Sequence, residues 1–263
     1  MKNLIILLVL MISINGISQQ SGTFTDPRDG QDYDWIKTGN QIWMTENLRA
    51  TVYSDGTPIP LVEENSSWVN LTETGKAYSF YNNDSASNAG TYGALYTWAA
   101  VMNGEASSTA NPSGVQGVCP DGWHVPSDEE WKALEIAINM TQNEADATGY
   151  RGVNQGSQLA GKAELWTDGI LENDAGFGLR NFMAIPAGYR KPDNGTFLDQ
   201  GNYSDWWTAT EITISDGWFR ELYYNYKDVG RYSISKNYGF SVRCVRDTDS
   251  IDDLSISLKG IDF

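Results

Sequence analysis

His124 is the only histidine in this 263-residue sequence, and it limits the chemistry that the side chains can perform. A Ser–His–Asp hydrolase would have to use this imidazole as its general base. His124 lies between Trp123 and Val125 in a tight turn, a position typical of a packed or hydrogen-bonded structural residue. The 34 acidic residues would place some pair of carboxylates at a glycosidase-like separation by number alone, so they identify no active site. We therefore assign no catalytic residue from the sequence.

Oxygen-rich loops are the remaining places where a metal ion could bind. Zinc draws mainly on His and Cys ligands, and one histidine with two cysteines cannot complete a four-ligand site without several carboxylates. Calcium needs only oxygen ligands, and the segment 193–205 contains several. The candidate calcium ligands are Asp193, Asn194, Asp199 and Asp205. No other cofactor is indicated, and calcium stays open as an alternative to no metal at all.

Aromatic side chains in the C-terminal half could form a binding surface. Trp206 and Trp207 are adjacent in a predicted strand, where successive side chains point to opposite faces. One of these indoles is therefore exposed unless both faces of the strand are covered. Such a surface would bind sugar rings or the side chains of a partner, with ordinary packing between strands as the alternative. The candidate platform comprises Trp206, Trp207, Trp218, Tyr189, Tyr203 and Tyr224.

Charge and the N-terminal segment indicate an exported protein. The net charge of −16 repels phosphate backbones and anionic lipid head groups, so nucleic acid is not an expected partner. Residues 1–18 resemble a signal peptide, with an apolar run over 4–14 and the small residues Gly16 and Ser18 before the expected cleavage. That run is shorter than the roughly 20 residues of a spanning helix, and no later segment is long and apolar enough to span. We expect a periplasmic, cell-surface or secreted location.

Cys119 and Cys244 are the only cysteines, and they are 125 positions apart. An even number of cysteines in an exported chain indicates a disulfide. The alternative is a pair of free thiols that lie close together in the fold and hold a metal ion.

The element that organises the chain is the turn at 117–123 and the amphipathic helix that follows it. Ser127 and Glu130 have the reciprocal spacing of a capping box, which predicts a helix that begins near Ser127. Asp128 adds a negative charge at the positive end of the helix dipole. Apolar residues recur at three- and four-residue steps over 131–138, so one face of this helix is predicted to lie in the core.

The rest of the chain alternates short strands with turn residues. A hairpin is predicted from Tyr33–Lys37 and Gln41–Met44, and a second short helix from Gly93–Met102, whereas 82–88 and most of 139–161 have the composition of loops. Further strands are predicted over 182–185, 206–210, 218–226, 230–235 and 240–245. Because no repeat or linker interrupts this pattern, we predict a single α+β domain over 24–247, followed by an acidic tail over 248–263.

Five separate blocks of this sequence resemble the successive motifs of the Fibrobacter succinogenes major paralogous domain family. The blocks are Trp43–Leu48, Tyr92–Ala100, Cys119–Pro126, Trp207–Glu211 and Gly239–Val245. Their order and spacing match from roughly residue 26 to residue 247. The resemblance implies a C-type-lectin-like fold with mixed short strands, two main helices and long loops, related to the formylglycine-generating enzyme family. It also implies an exported bacterial protein without an established activity.

Two functions are consistent with these observations. The first is a non-catalytic binding module that recognises a glycan or a protein outside the cell. The alternative is an oxidase-like or hydrolase-like enzyme of the formylglycine-generating enzyme-related fold, although such an oxidase would need two closely placed thiols for copper. The calcium-and-sugar signature of lectins, a Glu-Pro-Asn triplet followed by Trp-Asn-Asp, is absent from the sequence, so carbohydrate binding is a hypothesis that does not follow from the fold.

Overall fold

A computed structural model describes residues 19–247, so the predicted signal peptide (1–18) and acidic tail (248–263) lie outside the described residues. Within 19–247 the chain is a mixed α+β structure, as the sequence predicts. The strands are β1 Ser21–Thr25, β2 Asp32–Thr38, β3 Gln41–Met44, β4 Tyr78–Ser79, β5 Leu95–Tyr96, β6 Gly149–Arg151, β7 Tyr189–Arg190, β8 Phe197–Leu198, β9 Tyr203–Glu211, β10 Asp216–Tyr223, β11 Val229–Ser235 and β12 Val245–Asp247. The helices are α1 Asn65–Val69, α2 Ser85–Tyr92, α3 Trp98–Met102, α4 Asp128–Ala137, α5 Gln142–Asp146 and α6 Gln155–Leu159, with 3₁₀ turns at Tyr81–Asn83 and Ala163–Leu165.

Two four-stranded antiparallel sheets form the framework. The first has the order β1-β2-β3-β12 and contains the predicted hairpin, in which Trp35 pairs with Met44. The second has the order β6-β11-β10-β9 and carries most of the C-terminal strands. Two-stranded ribbons, β4-β5 and β7-β8, lie outside these sheets. Antiparallel strands that follow one another in the sequence need only short turns between them. Several of these strands could therefore be predicted from the local sequence.

Helix α4 follows the central turn and begins where the capping box predicts. The Ser127 hydroxyl accepts a hydrogen bond from the Glu130 amide, and the Glu130 carboxylate accepts one from the Ser127 amide. Trp131 and Leu134, on the predicted core face, are buried. Gly117, in the turn before the helix, has a left-handed φ of +53°, and a Cβ there would lie 2.1 Å from the Val101 carbonyl oxygen. Only glycine fits that position without a backbone shift.

Several local predictions were wrong, in one case because of a tertiary strand pairing and in two because helix caps were not recognised. Gly93–Met102 is not one helix: Leu95 and Tyr96 pair with β4, and the helix α3 starts only at Trp98. The predicted loop at 82–88 instead begins the helix α2, whose first amides are capped by Asp84. The predicted loop over 139–161 contains α5, which has its own capping box.

Two predicted strands are reduced to isolated contacts. In the stretch 182–185 only Ala184 makes a bridge, to Ala160. Over 240–245, Phe240 bridges to Tyr96 in one part of the fold and the next residues bridge to others, so a regular strand begins only at β12. Ser241 bridges to Trp206, so the residues of this segment that form bridges pair with different parts of the fold.

Cys119 and Cys244 form the predicted disulfide, with their Cα atoms 5.9 Å apart. The bond lies in a buried cluster that also contains Trp207. A second buried cluster contains Trp43, Trp131 and Trp206 and lies under α4. Among the described residues, no helix has the length and apolar character needed to cross a membrane.

Candidate functional site

The two adjacent indoles of the predicted platform are both buried. Trp206 is 1% exposed and packs in the cluster under α4, whereas Trp207 is 0% exposed and packs in the cluster around the disulfide. Strand β9 is therefore covered on both faces, and neither indole can form part of a binding surface. Trp218 is partly exposed, but the Arg231 guanidinium lies over its ring at 4.0 Å. The prediction is therefore wrong for Trp206 and Trp207, whereas Trp218 keeps a partly exposed side chain.

The face of the second sheet that carries Trp218 holds a buried ion network. Asp128 Oδ1 accepts from Arg220 Nη1 at 2.7 Å and Asp128 Oδ2 accepts from Arg231 Nη2 at 2.7 Å. Arg220 Nε also donates to Glu135 Oε1 at 2.7 Å. The Asp128 carboxylate lies in the first turn of α4, as the sequence predicts, and is also a buried partner of two arginines. This network joins α4 to β10 and β11.

His124, the only candidate base, is bonded to the capping box. Its Nε2 lies 2.6 Å from Glu130 Oε1, and Glu130 Oε2 accepts from the Ser127 amide at 2.9 Å. The Ser127 hydroxyl donates to the Ala110 carbonyl at 2.6 Å, so it is not directed toward the imidazole. The arrangement holds the start of α4 against the preceding loop.

On the opposite face of the second sheet, Tyr150, Tyr203, Tyr223 and Tyr232 belong to a continuous group of tyrosine rings, which we call the tyrosine cluster. Tyr203 stacks on Tyr223 with centroids 4.4 Å apart and packs against Tyr189 at 6.3 Å. The contacts continue from Tyr223 to Tyr224 at 4.7 Å and to Tyr226 at 5.5 Å. The tyrosine cluster comprises Tyr150, Tyr189, Tyr203, Tyr223, Tyr224, Tyr226, Tyr232 and Tyr238.

The tyrosine cluster contains half of the predicted platform. Tyr189, Tyr203 and Tyr224 are brought together, and all three are partly exposed. Tyr226 is the most open ring of the cluster, at 46% exposure. Alternate residues of a strand share a face, so Tyr203 on β9 lies on the same side as its cross-strand partner Tyr223 on β10. Trp218 points to the opposite face of β10 from Tyr223, so it is separated from the cluster.

Within the tyrosine cluster lies a cavity of about 160 Å³, which we call the acidic cavity. Its apolar walls are formed by Tyr189, Tyr203, Phe219, Ile234, Tyr238 and Phe240. Two carboxyl groups, those of Asp205 and Glu221, also line it. Asp205 on β9 and Glu221 on β10 are direct cross-strand partners, so the pairing of the strands places the two acids side by side.

The acidic cavity perturbs its carboxyl groups. Burial, and then the charge of Glu221, raise the pKa of the Asp205 carboxyl well above its usual range. Burial also raises the pKa of Glu221, although the Tyr150 hydroxyl donates to its Oε1 and opposes that shift. Among the described residues, Asp205 Oδ1 has no hydrogen-bond partner. A side-chain hydrogen bond between Asp205 and Glu221 raises the pKa of Asp205 and lowers that of Glu221. The Asp205 oxygen that lacks a partner is an acceptor that a ligand could satisfy.

The four calcium candidates do not form a single site. Asp193 pairs with Lys191 at 3.0 Å, and Asn194 Oδ1 accepts from the Thr196 hydroxyl at 2.6 Å. Asp199 Oδ2 accepts from the Tyr189 hydroxyl at 3.0 Å, and Asp205 lies in the acidic cavity. Within residues 19–247, no group of three or more His, Cys, Asp or Glu side chains is placed to hold a metal ion.

Sequence reasoning missed Glu221 and the tyrosines at 150, 232 and 238. Part of the signal was present: Tyr203, Asp205 and Trp207 alternate along β9 as Phe219, Glu221 and Tyr223 do along β10. The strand predicted at 206–210 began too late to include Tyr203 and Asp205, whereas the one predicted at 218–226 contained Glu221, whose partner was therefore missing. The contribution of Tyr150 from β6 and of Tyr238 from a loop depends on tertiary contacts.

A family model described as the Fibrobacter succinogenes major domain matches residues 36–246. No curated protein and no solved structure matches the chain. The motif blocks inside the matched range interlock in the core: the Trp207 indole donates to the Tyr96 carbonyl at 2.9 Å, and the Trp98 indole donates to the Thr208 carbonyl at 2.9 Å. The disulfide joins two further blocks. The blocks are thus parts of the framework, and one of them contributes Phe240 to the wall of the acidic cavity.

Proposed function

This chain belongs to the Fibrobacter succinogenes major domain family, and we propose that it is an exported, non-catalytic binding module that recognises a protein outside the cell. The ligand surface in this proposal is the tyrosine cluster. One observation carries the proposal: eight tyrosine rings form one continuous series of contacts, four of them on strands of the second sheet, and each is at least partly exposed.

Exposed tyrosines in mutual contact are suited to recognition. A phenol ring offers a large apolar area together with a polar hydroxyl, and it loses little conformational entropy on binding because it has only two side-chain torsions. In the tyrosine cluster the rings are already held by their neighbours, as in the stacked pair Tyr203–Tyr223. Such preorganised aromatic side chains are enriched at the centres of protein interfaces.

A protein ligand is better supported than a glycan. Trp206 and Trp207 are buried and Trp218 lies on the other face of the sheet, so the indoles that would stack on sugar rings do not contribute to the surface. A glycan ligand stays the alternative, and the experiment below separates the two.

The proposal includes a C-type-lectin-like fold related to the formylglycine-generating enzyme family. Two small antiparallel sheets, long loops and a disulfide that ties a helix-launching turn to the last strand support it. An exported location is supported by the same disulfide, since oxidising compartments preserve such bonds. The enzyme alternative has less support, because the two thiols that a copper oxidase would use, Cys119 and Cys244, are joined to each other.

The test compares exposed tyrosines inside and outside the cluster. Wild type, Tyr224→Ala, Tyr226→Ala and the control Tyr92→Ala, a partly exposed tyrosine outside the cluster, are immobilised and exposed to a polysaccharide panel and to surface proteins of the producing organism. We expect wild type and Tyr92→Ala to retain the same protein ligand. Each cluster variant should bind it about 30-fold more weakly, the effect of removing a hot-spot side chain worth about 2 kcal/mol.

Thermal melting of each variant accompanies the binding assay, so that a loss of folding is not mistaken for a loss of contact. Retention of polysaccharide in place of protein would transfer the function to glycan recognition. Full binding by both cluster variants would overturn the assignment of the ligand to this surface.

A further inference from the structure

The acidic cavity contains a polar group that is buried without a partner. Asp205 is 2% exposed, and within residues 19–247 its Oδ1 accepts no hydrogen bond. Asp205 is also among the residues that line the cavity, so a ligand in this space would lie beside its carboxyl group. Glu221 brings a second carboxyl to the same wall from the neighbouring strand. No lysine or arginine is among the described residues that line this cavity.

The remaining wall is aromatic and favours a particular kind of ligand group. The faces of phenol and phenyl rings carry partial negative charge and attract cations placed within about 6 Å of the ring centre. Tyr189 and Tyr203 lie nearly edge to face, with an interplanar angle of 82°, and Tyr238 packs against Tyr189 at an interplanar angle of 48°. The rings therefore meet the cavity from several directions, as the walls of a cage do.

We propose that the acidic cavity binds an organic ammonium group, with Asp205 as its counter-ion and the tyrosine rings as its walls. This inference rests on the proposed function for its choice of surface and adds the chemical class of the group that is recognised. The negative field of a chain with net charge −16 would favour the approach of such a cation.

The size and lining of the cavity argue against other ligands. At about 160 Å³ it is smaller than the roughly 300 to 1,000 Å³ of pockets for drug-sized molecules, so it admits one head group and leaves the rest of the ligand on the tyrosine cluster. Calcium takes six to eight oxygen ligands, whereas most of the groups lining this cavity are hydrocarbon. A neutral apolar group would fill the space but would leave the Asp205 carboxyl unsatisfied.

A pair of isosteric probes tests the charge requirement. Choline and 3,3-dimethylbutan-1-ol have nearly the same shape, but only choline carries a positive charge. Each is titrated into the wild-type protein while the ring signals of the tyrosines are followed by NMR, and N-acetyl-lysine amide is titrated as the analogue of a protein side chain. We expect choline or the lysine analogue to bind at least tenfold more tightly than the neutral alcohol.

Variants then assign the site. Asp205→Asn keeps the shape of the side chain and should weaken ammonium binding at least tenfold, and Tyr203→Leu should weaken it while leaving Asp205 in place. Asp121→Asn is the matched control, because it removes one exposed carboxylate from the turn after Cys119 and should leave binding unchanged. Binding of choline alone would indicate a free quaternary ammonium ligand, and binding of the lysine analogue alone would indicate a protein-borne one; both support the proposal.

Equal affinity for choline and its neutral isostere would overturn the proposal, as would unchanged binding in Asp205→Asn. A wild-type protein that ignores every ammonium probe, yet still loses its protein ligand on Tyr226→Ala, would also overturn it and would leave the proposed function intact. If Tyr224→Ala and Tyr226→Ala both keep the protein ligand while the wild type binds ammonium probes, the proposed function would be overturned and the ammonium site would stand.

Discussion

Asp128 and Asp205 are both buried carboxyls, but their surroundings move their pKa values in opposite directions. Burial alone would raise the pKa of Asp128, yet the charges of Arg220 and Arg231 and their hydrogen bonds outweigh it and hold that pKa well below its usual range. Burial raises the pKa of Asp205, and the nearby Glu221 adds to the effect. One carboxylate is a structural anion, and the other is a group that gains by protonation or by a ligand.

Asp205 should make the folded protein less stable as the pH rises. Because its pKa is raised in the folded state, the native protein holds a proton that the unfolded chain has lost above about pH 4, and stability falls as pH increases through that window. Asp205→Asn removes this dependence. We expect the variant to melt at a higher temperature than wild type at pH 8, with the difference shrinking toward pH 4, in thermal melts that include Asp121→Asn as control. A lower melting temperature for Asp205→Asn at pH 8 would contradict the assignment.

Asp128 should contribute stability in the opposite sense. Its lowered pKa means that its contribution is present above about pH 4 and is lost as the pH falls through the folded-state value. At neutral pH, Asp128→Ala leaves Arg220 and Arg231 buried without this partner and should cost about 3 to 5 kcal/mol. Glu129→Ala, which removes an exposed carboxylate next to it, should cost less than about 1 kcal/mol. Similar urea midpoints for the two variants would show that the ion network contributes little.

At the scale of elements, α4 joins the central turn, which packs in the cluster around the disulfide, to the second buried cluster. Its buried face packs Trp131 against Trp43, with ring centroids 4.7 Å apart, and against Trp206 at 5.7 Å. Its first turn carries the capping box and also the Asp128 end of the ion network. Two features therefore fix the start of this helix: the local capping box, and the arginine side chains of the second sheet that bind Asp128.

Ser127→Ala should destabilise the protein more than an ordinary cap mutation. The Ser127 hydroxyl accepts from the Glu130 amide and also donates to the Ala110 carbonyl at 2.6 Å, and the residue is fully buried. We expect a loss of about 2 kcal/mol, at the upper end of the range for N-caps. Thr141→Ala, in the exposed capping box of α5, is the matched control and should cost about 0.5 to 1 kcal/mol. Equal denaturation midpoints for the two variants would show that the second hydrogen bond adds nothing.

At the scale of the whole molecule, the two sheets are tied together by contacts between distant blocks of the chain. Asn47 is one example: its side chain accepts from the Trp206 indole and from Arg243 Nε, and donates to the Ser241 hydroxyl. Burial lowers the pKa of Arg243 to about 9, and its guanidinium is held mainly by carbonyl oxygens. The disulfide adds a covalent link of the same kind between the central turn and the segment that leads into β12.

Cys244→Ser and the double variant with Cys119→Ser should have the same stability. The disulfide closes a loop of 125 residues, and the chain-entropy model assigns about 4 to 5 kcal/mol to loops of this order. Once the bond is absent, the second replacement removes nothing further from it. Thermal melts of the single and double variants under non-reducing conditions measure this, and wild type with reductant is the control. A second, independent loss in the double variant would mean that the cysteines are not paired.

The sequence by itself determined the features that depend on near neighbours or on covalent chemistry. The β2–β3 hairpin and the start of α4 are as predicted, because turn residues and the spacing of a capping box act on near neighbours. The pairing of Cys119 with Cys244 is also as predicted, because two cysteines allow only one disulfide within the chain. The α+β class follows from the same local patterns.

Only the tertiary structure decided which faces are covered and what lies opposite each buried group. Period-two alternation places Trp206 and Trp207 on different faces, but it cannot say that both faces are packed. The charge of Asp128 is buried because Arg220 comes from a strand 92 positions away. The acidic cavity exists because the pairing of β9 with β10 sets Asp205 beside Glu221. Contacts between segments far apart in the chain leave no local pattern, which is why these features had to be read from the fold.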